Sequence, residues 1–235
     1  MHQNHPVTKL PTDLDSRIWR YVDIAKFLDL LSTSQLYFAR ADNLRDSFEG
    51  KSPLPAIKRQ RDHYDSEATF QDLAHEFIAG TYLNCWHLSP HESAAMWNLY
   101  SGASKGIAIR STCHRLIDAL HATDQSVHLS EIRYIDYRTQ DFEENLHGNS
   151  LTPFVYKRLS FEHEKEFRAI VCRAFQSDTP KDGIKVPIDL AVLIEAVIIS
   201  PDAPSWFASV VEDIIPRYGL TLPIHPSNLA TDPVY

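Results

Sequence analysis

Apolar and polar positions change period several times along the chain, and each change marks an element. Residues 17–22, RIWRYV, are aromatic and β-branched and predict a short strand. Asp23 then precedes a run in which Ile24, Phe27, Leu28 and Leu31 recur at helical spacing, so the aspartate is the expected N-cap. LYFA (36–39) reads as a second strand, followed by a polar loop that ends at Gly50. Residues 54–78 are polar, with Phe70, Leu73 and Phe77 at helical spacing. TYLNCWHLS (81–89) reads as a strand, ESAAMWNLYSG as a short helix closing at Gly102, GIAIRS as a strand and CHRLIDALHA as a helix.

The second half is richer in strands: VHLSEIRYIDY, TPFVYKRL, EFRAIVCRAF, GIKVPID, LIEAVIIS and finally LPIHPS. Between the last two, Trp206, Phe207, Val210, Val211, Ile214, Ile215 and Tyr218 form one apolar stripe. That stripe predicts an amphipathic helix with Trp206, Val210 and Ile214 in the core. With no repeat and no obvious linker, the expectation is one α+β domain over residues 1–235. Its sheet is mixed or antiparallel, its helices concentrate in the N-terminal half, and residues 1–15 form a poorly ordered arm.

Composition narrows the classes. The chain of 235 residues is 43% hydrophobic and 23% charged, as a globular protein is. No apolar run approaches the roughly 20 residues of a membrane helix, and the N-terminus lacks the layout of a signal peptide. A cytoplasmic location and no membrane partner are expected. A net charge of −8 disfavours bulk nucleic-acid binding, although Lys58, Arg59 and Arg61 form a local basic group, read first as a solvated helix face. Only seven glycines occur, in neither of the common phosphate-cradling patterns, so a nucleotide would be held by side chains or by other backbone groups. Cys85, Cys113 and Cys172 lack metal spacing and read as small core residues. Twelve histidines do not make a zinc site: Pro90 separates His87 from His91, and HESAA (91–95) lacks a second histidine. His2 and His5 fall near the chain end. No metal is expected.

Three polar clusters stand out: Trp19, Arg20 and Tyr21; Asp46, Phe48 and Glu49 after Tyr37; and SFEHEKEFRAIV (160–171). If the last is a strand throughout, Glu162, Glu164, Glu166 and Arg168 share one face, with Glu164 and Glu166 about 7 Å apart. Two readings are open. One is a solvent-facing strand edge held by ion pairs with Arg168, Lys157 and Arg158. The other is a catalytic pair of carboxylates. Trp97, with Met96 and Tyr100 on one helical stripe, is likewise either core or the wall of a pocket whose mouth is SGASKG.

Taken in order, these stretches resemble a bacterial domain-of-unknown-function family, number two-nine-seven-one. The resemblance rests on Trp19, Arg20 and Tyr21, on LYFARADNLRDSFEG, on CWHLSPHESAAMWNLYSGASKGIAI, and on Lys157 with Glu164, Glu166, Phe167 and Arg168. The family loop usually reads Asn-Asp-Pro-Phe-Glu; here Arg45 and Ser47 replace its Asn and Pro. More distantly, the strand order, Tyr37 and the late E-x-E are similar to the ADP-ribosyltransferase superfamily. That likeness implies NAD as the small-molecule nucleotide. It makes Glu166 the residue that stabilises ribosyl charge and Glu164 the acceptor-side carboxylate. It has Arg20 hold the dinucleotide, Tyr37 face the nicotinamide and Arg168 contact the cofactor. Asp46, Glu49 and Trp97 are then the expected substrate-side residues.

The reading leans to NAD-dependent ADP-ribosyl transfer or NAD cleavage. Beside it stands a non-catalytic ligand-binding or defence-associated regulatory module. Behind both stands a Mg²⁺-dependent nuclease or hydrolase using Asp46, Glu49, Glu164 and Glu166 as hard oxygen ligands.

Overall fold

The computed structural model describes residues 5–61, 67–101 and 105–231. In chain order the elements are β1 (Arg17–Asp23), α1 (Ile24–Thr33), β2 (Gln35–Arg40), α2 (Leu54–Arg61), α3 (Glu67–Ala79) and β3 (Thr81–Leu88). Then come α4 (Ala94–Tyr100), β4 (Gly106–Thr112), α5 (Cys113–Ala119), β5 (His128–Glu131), β6 (Arg133–Ile135) and β7 (Tyr156–Arg158). The last are β8 (Glu166–Cys172), β9 (Gly183–Pro187), α6 (Leu190–Leu193), β10 (Ala196–Ile199), α7 (Ser205–Ile214) and β11 (Ile224–Pro226). The result is α+β with mostly antiparallel pairing and the longer helices mainly in the N-terminal half. The expected closure of the fourth helix at Gly102 lies outside the described residues, as do the loop positions 102–104, His2, and the side chains of Phe70 and Arg61.

Contacts divide the chain into two compact units: residues up to 10 with 37–85 and 125–186, and residues 11–36 with 86–124 and 187 onward. In the first unit β2 pairs with β3 antiparallel (Ala39↔Leu83), β5 with β8 antiparallel (Leu129↔Ala169), and β6 with β7 parallel (Tyr134↔Lys157). Its core joins Val7, Leu83, Leu146, Phe154, Tyr156 and Ile170 with further apolar side chains. Val7 is buried and the Glu131 N–H donates to the Lys9 carbonyl at 2.8 Å, so the arm expected over residues 1–15 is anchored from residue 5 onward.

The second unit pairs β1 with β4 along their whole length, from Arg17↔Thr112 to Asp23↔Gly106. β4 continues antiparallel to β10, and β10 runs parallel to β11. Asp23 is the N-cap of α1, its carboxylate accepting the Lys26 N–H at 2.9 Å. Trp19, Tyr21, Met96, Trp97, Ala108 and Ile198 form one core cluster.

Helix α7 departs from expectation. Phe207, Val211 and Ile215 are buried, one per turn at i, i+4 and i+8, whereas Trp206 is 53% exposed and Val210 38%, with Ile214 half-buried. The seven apolar residues cover two adjacent ridges, and only one faces the core. Among the described residues no helix is long and apolar enough to cross a membrane.

Candidate functional site

The stretch 160–171 is not a strand from end to end. A 3₁₀ helix covers Leu159–Glu164, Lys165 adopts a left-handed conformation at φ +41°, and β8 starts at Glu166. A lysine in that region is uncommon and signals a local constraint. The conformation breaks the two-residue alternation. Glu162 is left exposed, while Glu164 is turned inward from the 3₁₀ helix and Glu166 and Arg168 point inward from β8. The expected row of three carboxylates on one strand face is therefore two buried carboxyls and one exposed one. The solvent-facing edge is overturned as well, because Glu164, Glu166 and Arg168 are all buried.

Lys157, buried on β7, bridges the two carboxyls: its ammonium donates to Glu164 Oε2 and to Glu166 Oε1. Arg168 donates through Nε to the other Glu166 oxygen. The rest of its guanidinium clasps Glu49, Nη1 to Oε1 at 2.5 Å and Nη2 to Oε2 at 2.8 Å, and Nη1 also reaches the Phe154 carbonyl at 3.0 Å. The polar loop delivers Glu49. Asp46 accepts the Phe48 N–H at 3.0 Å, the Glu49 N–H donates to the Asp46 carbonyl, and Gly50 follows at φ +72°. A Cβ at Gly50 would lie 2.5 Å from Phe154 Cε1, so the close approach needs glycine. The Glu166 N–H donates to the Tyr134 hydroxyl at 2.8 Å, fixing the start of β8.

Five charged groups thus form one buried network. Exposure of the side chains falls from 8% at Lys157, 6% at Glu164 and 5% at Glu166 to 1% at Glu49 and 0% at Arg168, so the Lys157 end is the outer one. Burial alone would raise Glu166, but Arg168 and Lys157 outweigh it and hold the carboxyl well below the usual carboxylate range. Glu164 moves the other way: burial raises it first, and the hydrogen bond to Glu166 and that neighbour's charge add to the rise against the pull of Lys157. Burial also pushes up the Cys85 thiol and the Tyr134 hydroxyl beside the network.

A second pair lies in the same unit. Arg158 binds the buried carboxylate of Asp46 and lies 4.2 Å over the Phe48 ring and 5.3 Å from that of Phe161. Phe161 also receives the Lys157 ammonium at 4.6 Å.

Glu49, Glu164 and Glu166 therefore meet in one network, while Asp46 is engaged by Arg158. Arg168, expected at the cofactor, is instead an internal counter-ion with no exposed surface. Tyr37 donates its hydroxyl to the Asp182 carbonyl at 2.7 Å and keeps part of its ring exposed; a Cβ at Gly183 would lie 2.6 Å from that ring. Arg20 and Trp97 belong to the second unit. Arg20 lies 6.0 Å from the Trp86 ring, and Trp97 is buried with its indole N–H donated to Glu92 at 2.9 Å. A cleft of about 420 Å³ in that unit, lined by Asp13, Asp15, Ser16, Arg17 and residues 88–90, contains none of the expected site residues. The sequence pointed to Lys157 as a nearby cation but not as the bridge, and gave no sign of Tyr134.

Among the described residues, no group of three or more His, Cys, Asp or Glu side chains is placed to hold a metal ion. The four acids considered as hard ligands each face a lysine or arginine instead.

No family model matches the chain. No curated protein matches it. Among solved structures, Thermus sp. 2.9 DarT in complex with NAD+ aligns at 11% identity over 95% of this chain and 100% of that one, with a TM-score of 0.43. The complex of the same DarT with ADP-ribosylated ssDNA aligns at 11% identity over 96% and 100%, again with a TM-score of 0.43. Its complex with carba-NAD+ gives 10% identity, 93% and 97%, and 0.40. At this identity and TM-score the likeness carries no argument, and the reading of the site rests on the residues of the network itself.

Proposed function

We propose that the chain cleaves NAD or transfers ADP-ribose from it, with Glu166 as the catalytic carboxylate. In that reaction the bond between nicotinamide nitrogen and ribose C1′ breaks with its electron pair going to nicotinamide. Positive charge develops on the ribosyl group, and the oxygen of water or of an acceptor attacks C1′ and loses a proton. A fixed carboxylate facing the developing charge stabilises it most where water is excluded and nothing has to reorganise. The observation that supports this reading is the setting of Glu166: nearly enclosed, its two oxygens held by Lys157 and Arg168, which favour its charged form, on a strand start fixed by the Tyr134 hydroxyl, and bridged through Lys157 to a second carboxyl. Tyr37, with part of its ring exposed in the same unit, is the aromatic proposed to face nicotinamide.

One observation favours the binding module instead. Both Glu166 oxygens already receive a cationic donor, as they would in a purely internal ion network.

Nicotinamide release from NAD, measured for the wild type and Glu166→Gln with and without cell extract as acceptor, separates the two. The transferase reading expects a loss of about 10²–10³ in rate for the variant. NAD affinity by calorimetry should change much less, because the contact strengthens in the transition state. Chelation with EDTA should leave the rate intact; loss of activity would restore the metal enzyme. An absence of both NAD binding and nicotinamide release would leave the binding module.

A further inference from the structure

Helix α7 keeps its second apolar ridge outside the core. Trp206, Val210, Ile214 and Tyr218 follow one another at four-residue steps, the last on the 3₁₀ turn that continues the helix. Trp206, Val210 and Tyr218 are exposed and Ile214 is half-buried. Among the described residues, exposed large apolar side chains elsewhere stand one to an element or loop, whereas three stand here in one row. A single exposed apolar side chain needs no explanation; a row of them marks a surface that meets something. Rows at four-residue steps are also the ridges by which helices pack on helices.

Charges beside the ridge indicate what meets it. At its N-terminal end the Lys105 ammonium lies 5.7 Å from the centre of the Trp206 ring. At its C-terminal end stands Asp213, exposed, with its carbonyl accepting from Arg217 Nε at 3.2 Å. One end of the surface is therefore basic and the other acidic. Such a surface is complementary to a copy of itself turned end for end. A two-fold axis at Val210 lays two α7 helices antiparallel, so that position 206 faces position 214 of the other copy and position 210 faces itself. Trp206 then covers the partner's Ile214, and Lys105 comes alongside the partner's Asp213. Each contact occurs twice. Ser209, exposed next to Val210, has a short side chain that lets the two helices approach at the axis. A parallel alignment would instead set Lys105 against its own counterpart and Asp213 against its own, and like charges facing each other oppose association.

We propose that α7 is the contact between two copies of this chain, packed antiparallel about Val210, with Lys105 paired to the partner's Asp213. One helical ridge buries well under the roughly 800 Å² per partner of a standard interface, so the association is weak, with a dissociation constant of about 10 µM to 1 mM. It uses elements of the second unit alone and is independent of the NAD reading.

Sedimentation velocity of the full chain from about 1 µM to 1 mM tests this. The wild type should pass from one chain to two across that range. Val210→Glu sets two carboxylates face to face on the axis and should remain one chain throughout, with a circular dichroism spectrum like that of the wild type because the position is exposed. Lys105→Glu and Asp213→Lys should each weaken association about tenfold, and the two together should restore it, because each new charge meets its opposite on the other copy. Leu54→Glu, which removes an exposed apolar side chain from the start of α2, should leave association unchanged. A wild type that is one chain at every concentration overturns the proposal. So does a dimer that persists in Val210→Glu, or one that the combined charge exchange fails to restore.

Discussion

The half-buried Glu92 of the second unit and the buried carboxyls of the first are satisfied in opposite ways. In the second, Glu92 meets neutral donors: the Trp97 indole at 2.9 Å, the Asn228 N–H at 2.6 Å and the Ser227 hydroxyl, beside the buried Tyr21, whose hydroxyl accepts the Ser93 N–H. In the first, Glu49, Glu164 and Glu166 are interleaved with Lys157 and Arg168 away from solvent. A buried ion network of this kind is weak evidence for stability, since well-packed apolar residues of similar volume often do as well or better. Neutral donors satisfy a carboxylate in this same chain without a buried cation. Stability alone therefore does not account for the five-group network.

Three substitutions break or sharpen this contrast, in order of effect. Arg168→Met leaves Glu49 and Glu166 in the interior without the cation that joins them and should cost about 3–5 kcal/mol of unfolding free energy in urea. A much smaller loss would mean that the network is solvated. Glu92→Ala strands donors that are only partly buried, so about 1–3 kcal/mol is expected. Trp206→Ala, on the exposed ridge of α7, should change stability by no more than about 0.5 kcal/mol despite the size of the side chain.

The pH dependence of stability divides within the first unit. The folded-state pKa of Glu166 is lowered, so its contribution is present above the ordinary glutamate value of about 4.3 and is lost as pH falls through the folded value. That of Glu164 is raised, so its contribution is complete below about 4.3 and is lost as pH rises through the folded value. Glu164→Gln resembles the neutral carboxyl in shape and should remove the loss on the alkaline side while leaving the acid side intact. Urea unfolding from about pH 2 to 9 for both proteins checks this, and parallel curves would remove Glu164 from the account.

Much of the fold was legible because local rules and tertiary packing agree. Asp23 caps α1 as its position implies, and the apolar runs at 17–22, 81–88 and 106–112 are strands. Glu166 and Arg168 share the inward face of β8, as alternation requires. Legibility failed where a choice depends on residues far away. Which of two apolar ridges of α7 turns inward depends on what lies beneath it. The left-handed Lys165 has no sequence signature, since lysine carries no preference for that conformation, and it separates the 3₁₀ helix that carries Glu162 and Glu164 from β8. The Arg168–Glu49 clasp joins residues 119 positions apart, so no local pattern could announce it.

The central claim is that the network is a working site. It is tested most directly by measuring nicotinamide release and urea stability together for the wild type and Glu166→Gln. The account predicts that the wild type releases nicotinamide and that the variant, while still folded, is slower by about 10²–10³. A folded variant that releases nicotinamide at the wild-type rate, or a wild type that neither binds NAD nor releases nicotinamide, would contradict it.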